Sequence, residues 1–349
     1  MKKILFALLA VGMLFGCQEN SGNKIQIGAI LPLTGTGAEA GVSVKNAMEL
    51  FINEWNDQNN DIKLEGIYLD SKADPKEGVM LGNEIVTRYT PRIIISGVSG
   101  VTINAQPILE KRGIIHVGLV STGYILNESA QYTLRSYTIP SDICKHVTNE
   151  ILNTLKRDSY VLFYANTEFA LAFKEEFEQY NSSLNLQMRS MTYDEKELSY
   201  RDVIRKANLN PDDVIYISGQ YQSLGRIIKQ IRESGHHGII ISDAHMNSNT
   251  VLNIIGDNTS NLYYVNIKKN DKTNSLLNDY MAKYGTTMSD FALLAYNALD
   301  VVLSQVKLEP DIDNKQIMMN LQNYAYDGII GKSIVADKDI KVEFDIRPL

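Results

Sequence analysis

Short, nearly continuous apolar runs of strand length recur along the chain, separated by stretches whose apolar residues return every three or four positions. Ile25 to Leu31 is the first run. After the loop Pro32-Leu33-Thr34-Gly35-Thr36-Gly37, the stripe Val44, Ala47, Met48, Phe51, Ile52 and Trp55 predicts an amphipathic helix. Leu64 to Leu69 predicts the second strand. Asp74-Pro75-Lys76-Glu77 predicts a helix start, with a capping Asp, Pro at the first helical position and an acid in the first turn. Pro91 ends that helix and Ile93-Ile94-Ile95 opens a third strand. A Ser/Gly turn, a helix ending near Gly113 and the run Ile114 to Val117 then make a βαβ unit, because parallel strands need a long crossover and are buried on both faces.

A second series of the same kind follows. Tyr160 to Tyr164, Val214 to Ile217, Ile239 to Ile241 and Leu262 to Val265 predict strands. Glu168 to Tyr180 and Ser223 to Ser234 predict the helices between them. Helical periodicity returns over Leu276 to Tyr284, Phe291 to Val306 and Ile317 to Tyr324. The end, Lys332 to Val335 and Ile340 to Ile346 around the polar turn Ala336-Asp337-Lys338-Asp339, predicts a hairpin. Strands alternating with helices mean α/β lobes, and 349 residues with 44% hydrophobic content suffice for two.

Ligands of open parallel sheets collect beyond the carboxyl ends of the strands. The strand beginning at Ile93 runs out at Ser99 and the one beginning at Ile114 at Ser121 and Thr122, with a helix opening just past the first. Their hydroxyls and free backbone N–H groups predict a seat for a carboxylate or similar anion. Taken singly, such Ser and Gly residues are also ordinary turn formers.

The N-terminus has a different pattern. Met1-Lys2-Lys3 is a basic segment and Ile4 to Phe15 an apolar one too short to span a bilayer. Leu14-Phe15-Gly16-Cys17 resembles the lipobox of bacterial lipoproteins, in which the cysteine carries lipid. Residues 1–17 are therefore expected to be an export signal ending at a lipidated Cys17, and 18–23 a polar tether, with no later apolar run long enough to cross a membrane. Cys144 then has no partner, so the fold is expected to rest on its core. The net charge of −7 and pI near 5.4 argue against nucleic acid.

Chemistry is hard to assemble from this chain. The histidines His116, His146, His236, His237 and His245 show no metal-binding spacing. His116 lies in an apolar strand and reads as a core residue, whereas His245 ends a strand near the expected cleft. Thr34-Gly35-Thr36-Gly37 lacks the Lys of a phosphate loop and reads either as a cleft loop, with Ala38 and Glu39 near a ligand, or as a plain connecting loop. No G-x-S-x-G elbow occurs, and Cys144 and His146 fall on different helix faces. No enzyme activity, cofactor or metal is expected.

The lipobox and tether, the opening Ile25-Gln26-Ile27-Gly28-Ala29-Ile30-Leu31-Pro32-Leu33-Thr34-Gly35, Asp70 with Asp74-Pro75, and the strand ends at Ser99 and Thr122 together resemble the branched-chain amino acid (Leu/Ile/Val) binding proteins. The resemblance runs nearly end to end. It implies the type I periplasmic binding protein fold, two doubly wound Rossmann-like α/β lobes joined by a hinge of three crossings near Pro140, Lys268 and Gly328. The first lobe would be residues 24–139 plus 269–327 and the second 140–268 plus 328–349.

In function the resemblance implies a solute-binding lipoprotein of the cell envelope, anchored only through Cys17, that captures a small carboxylate ligand and delivers it to an ABC permease. A ligand sensor or envelope partner protein on the same fold is the alternative. Ser99, Val120, Ser121 and Thr122 match the positions that hold the ligand carboxylate. Phe169 and Gln220, with Tyr221 one place on, match the aromatic positions of the second lobe. The acid that pairs with a ligand amino group falls on Ala244, a departure from the family pattern. Asp243, one residue earlier, is the substitute, unless it is a solvated loop residue or caps the helix from Asn247 to Ile255. Without an acid in the cleft, the ligand would be a carboxylate lacking an amine. The closing contacts are expected from Phe169, Gln220, Tyr221 and the segment Asp243 to His245.

Overall fold

The computed structural model describes residues 23–35, 37–58, 61–119, 129–136, 140–184 and 186–349. The signal segment with Cys17, nearly all of the tether, and Val120, Ser121 and Thr122 lie outside the described residues.

The first lobe is built from β1 (Asn23–Leu31), α1 (Ala38–Gln58), β2 (Ile62–Asp70), α2 (Pro75–Arg88), β3 (Pro91–Gly97), α3 (Ser99–Lys111), β4 (Ile115–Leu119) and β5 (Thr133–Ser136). The second holds α4 (Pro140–Asn149), β6 (Ser159–Ala165), α5 (Glu168–Asn181), β7 (Gln187–Tyr193), α6 (Arg201–Ala207), β8 (Val214–Ser218), α7 (Tyr221–Glu233), β9 (Ile240–Ser242), α8 (Asn249–Ile255) and β10 (Leu262–Ile267). The chain then returns through α9 (Asp271–Tyr284), α10 (Asp290–Leu308), α11 (Asn314–Asn320), β11 (Ala325–Gly328), β12 (Gly331–Ala336) and β13 (Asp339–Lys341), and ends in β14 (Phe344–Pro348). The strand order is β11-β12-β13-β5-β4-β3-β1-β2 in one sheet and β14-β10-β9-β8-β6-β7 in the other.

Strand β3 shows what makes each lobe doubly wound. Its successive side chains point to opposite faces: Ile93 and Ile95 join the core that includes α1 and α10, while Ile94 joins Ile85, Val101, Ala105 and Leu109 under α2 and α3. All three isoleucines are fully buried, each contributing about 1.5–3 kcal/mol of transfer free energy. The neighbours on both sides are parallel, Ile93 facing Ile27 on β1 and Ile115 on β4.

Two expectations need correcting. The passage to the second sheet does not fall near Gly328, because Gly328 pairs with Gly331 in an antiparallel hairpin that stays in the first sheet. The chain changes sheet between Lys341 and Phe344, so the predicted arm Ile340 to Ile346 is split between β13 and β14. Alternation and turn residues mark a strand but not the sheet it enters. Second, Asp290–Leu308 is long and apolar enough to cross a membrane by length and composition, with mean hydropathy 1.3. Inside the lobe, 83% of it is buried, so it is a core helix whose every face meets protein.

The later two crossings run side by side. Lys268 donates its backbone N–H to the Glu343 carbonyl at 3.0 Å, and its Nζ meets Glu343 Oε2 at 3.2 Å. Strands β10 and β14, which end and begin there, pair antiparallel with Ile267 opposite Phe344.

Candidate functional site

At the tip of β3 the backbone turns abruptly into α3. Val98, a β-branched residue, holds φ 72°, a conformation its side chain disfavours and only firm surroundings maintain. The turn delivers Ser99 to the first position of α3, where it is 3% exposed. The helical ladder starts only with Thr102 N–H donating to the Val98 carbonyl at 3.0 Å, so the N–H groups of Ser99, Gly100 and Val101 precede it. That is the polarity an anion requires.

Gly100 packs tightly at the start of α3. A Cβ there would lie 2.7 Å from Pro75 Cγ of α2 and 2.9 Å from Glu168 Oε2 of α5. The rigid Pro75 ring is what excludes a side chain there, while the Glu168 carboxylate at the start of α5 reaches across from the second lobe to the start of α3.

The second lobe contributes an aromatic enclosure around His245. The ring of Phe169 stands edge-on to it at 5.2 Å, that of Tyr221 at 5.0 Å, and Phe291 at the head of α10 tilts against it at 4.7 Å. Phe291 comes from the first lobe, so His245 is in the seam between lobes. Its Nδ1 is 2.6 Å from Asp243 Oδ1, which also accepts the His245 backbone N–H at 2.9 Å. Both residues are buried, at 1% and 0% side-chain exposure.

Asp243 thus uses one oxygen to cap the short 3-10 turn Ala244–Asn247 and to orient His245. Its other oxygen, Oδ2, is buried without a hydrogen-bond partner among the described residues. A carboxylate oxygen out of water with no donor is costly, so the position favours a donor or a positive charge. The helix cap expected of Asp243 falls instead to Ser248, which accepts from Val251 N–H at the start of α8. Asp243 is therefore neither a solvated loop residue nor the cap of that helix.

The remaining expected residues are distributed as follows. Tyr221 opens α7 with φ 45°, a second left-handed backbone at a strand-to-helix junction. Burial, with the nearby carboxylates of Asp243 and Glu39, pushes its hydroxyl pKa up, so it stays protonated and able to donate. Gln220 is the half-buried N-cap of that helix, but its side chain makes no capping bond. Ala244 turns toward Asp290, Phe291 and Leu294 of the first lobe across a void of about 10 Å³. Asp70 fixes the cleft loop, accepting from Leu33 N–H, Thr34 N–H and the Thr34 hydroxyl. The larger surface clefts, such as that of about 630 Å³ beside Tyr132 and Met319, lie on outer faces away from the strand tips. No group of three or more His, Cys, Asp or Glu that could hold a metal ion occurs among the described residues.

Sequence reasoning missed Phe291, which it read as one more apolar position on a core helix. Periodicity carries no signal that a residue in the first turn of such a helix reaches the opposite lobe. Glu39, expected near a ligand, binds the start of α8 in the second lobe, a contact the sequence did not show.

Comparison with known proteins bears on this architecture. Residues 24–347 match the family described as periplasmic binding protein. The chain is 22% identical over 325 residues to Leu/Ile/Val-binding protein homolog 1 of Brucella abortus, covering 91% of this chain and 87% of that one. It superposes with TM-score 0.84 and 20% identity on the branched-chain amino acid transporter substrate binding protein LivJ of Streptococcus pneumoniae in complex with isoleucine, over 94% of this chain and 96% of that one. An ABC transporter solute binding protein of Rhodopseudomonas palustris in complex with 3,4-dihydroxybenzoic acid superposes with TM-score 0.81 and 15% identity, over 93% of each chain.

Proposed function

The chain belongs to the periplasmic binding protein family, and from that premise we propose that it is the extracytoplasmic receptor of an ABC importer for an aliphatic α-amino acid, tethered by lipid on Cys17. The ligand carboxylate would sit on the N-terminus of α3 and Ser99, joined by Val120, Ser121 and Thr122. Its ammonium would meet Asp243 Oδ2. Its side chain would lie against Phe169, Tyr221 and Phe291. Binding starts on the first lobe; the second swings over it, and the contacts present only after closure drive the swing. The permease then recognises the closed form.

The observation that carries this reading is Asp243 Oδ2, buried and without a hydrogen-bond partner among the described residues. An α-amino acid offers a cation for that oxygen and an anion for the start of α3; a plain acid offers only the second. The names of the Brucella and Streptococcus relatives support the same ligand class. The second reading, an aromatic acid without an amine, is favoured by the Rhodopseudomonas structure and by Ala244 standing where the family pattern places an acid.

Calorimetry separates the two. The titrants are leucine, 4-methylpentanoate, which is leucine without its amine, and 3,4-dihydroxybenzoate. The native protein is expected to bind leucine alone tightly. Asp243→Asn should weaken leucine by about 2–5 kcal/mol while leaving the plain acid unaffected. Equal losses for leucine and 4-methylpentanoate would remove Asp243 from the site. Tight binding of the dihydroxybenzoate in place of leucine would install the second reading.

A further inference from the structure

Glu39 is the second residue of α1, in the first lobe, and its carboxylate crosses the seam. Oε1 accepts from Asn249 N–H at 2.9 Å; Oε2 accepts from Thr250 N–H at 3.0 Å and from the Thr250 hydroxyl at 2.8 Å. Asn249 and Thr250 are the first residues of α8 in the second lobe, and a helix cannot satisfy its own first N–H groups. Within its own lobe Ser248 satisfies one of them, that of Val251, at 3.3 Å. The two before it are satisfied from the opposite lobe, by an ionisable group whose hydrogen bonds are of the stronger, charge-assisted kind.

The neighbourhood is shaped for this contact. Gly37, two residues before Glu39, holds φ 85°, and a Cβ on it would lie 3.2 Å from Cε2 of Tyr221. The first lobe therefore touches the second at Tyr221 and at Asn249 and Thr250, on either side of Asp243 in sequence. The 3-10 turn Ala244–Asn247 is separated from α8 only by Ser248. Whatever seats the start of α8 on the first lobe also fixes Asp243 and His245 above it.

We infer that Glu39 is a closure latch: it positions the Asp243–Thr250 segment against the first lobe and stabilises the closed form whether or not ligand is bound. This deepens the receptor reading and rests on it only for the identity of the ligand. None of the three bonds involves a ligand atom, so the latch acts on the empty protein. A device of this kind raises the fraction of protein already competent, and apparent affinity scales with that fraction. It also slows release, because the lobes must break the latch before a ligand escapes.

The test is pulsed EPR on the full, detergent-solubilised chain, with labels at Met80→Cys on α2 and Leu171→Cys on α5, both exposed positions. Without ligand, the native Glu39 protein should show a closed-distance population that Glu39→Ala shifts to longer distances. Thr250→Val, which deletes only the hydroxyl leg, should shift it partway, and should add nothing in the Glu39→Ala background. For leucine, stopped-flow release should be about tenfold to a hundredfold faster in Glu39→Ala, the range expected for losing hydrogen bonds to a charged group. Unchanged ligand-free distances in Glu39→Ala would overturn the latch, as would a Thr250→Val effect of full size without Glu39. If leucine fails to bind the native protein while the distances still respond to Glu39→Ala, the latch stands and the amino acid reading falls.

Discussion

A histidine buried inside a parallel sheet is tolerated when it is neutral, and His116 is held that way. It is fully buried, its Nε2 is 2.7 Å from the Ser96 hydroxyl, and burial lowers its pKa from the usual 6.5 to about 3. The sign of the linkage follows. The unfolded chain takes up a proton below about 6.5 that the folded protein refuses until about 3. The stability involved is fully present above pH 6.5 and is lost, at about 1.4 kcal/mol per pH unit, as the pH falls through that window. Urea titrations should therefore show stability falling between pH 6 and 4, with the slope reduced by one proton in His116→Gln. An equally steep fall in the variant would exclude His116 as the source. The core role of His116 was legible from its apolar neighbours. That Asp243 is buried with one oxygen committed and one unpartnered was not, because neighbouring residues on a strand end face opposite ways and only coordinates say which faces the seam.

Among the elements, the antiparallel strands β11 to β13 are joined to the parallel part of their sheet by little backbone. Strand β13 pairs with β5 at one position, Asp339 opposite Arg135. Beside the backbone bond from Arg135 N–H to the Lys338 carbonyl, the side chains of that pair reinforce the junction: Arg135 Nε donates to Asp339 Oδ1 at 2.5 Å and Nη2 to Oδ2 at 2.9 Å, with 13% and 5% side-chain exposure. Removing one partner from such a buried pair leaves the other charge stranded. Asp339→Ala should cost about 3–5 kcal/mol in chemical denaturation, whereas Arg135→Met with Asp339→Leu should cost far less. Equal costs would show that packing, not charge, holds the hairpin. Sequence located the strands that are buried on both faces, since those are apolar runs. It missed β7, Gln187-Met188-Arg189-Ser190-Met191-Thr192-Tyr193, an edge strand that is mostly half-exposed or exposed and so carries no apolar run. It also could not assign Ile340 to Ile346 between the sheets, because that choice is made by pairing partners remote in sequence.

For the molecule as a whole, the proposed lipid anchor is expected to be separable from the proposed capture. The first strand begins at Asn23, six positions after Cys17, and the described free cysteine, Cys144, is buried within the lobes. Cys17→Ser should move the protein from membrane to soluble fractions without altering leucine affinity; retention in the membrane would rule out the lipid anchor. The Lys268 to Glu343 bond has a further consequence for how the halves travel. Two crossings tied backbone to backbone cannot swivel independently, so the joint behaves as a pin and not a ball. In the receptor proposed above, opening would then follow a single arc, and a change at the rim of the jaws, such as losing Glu39, would alter how far along the arc the protein rests without changing its direction.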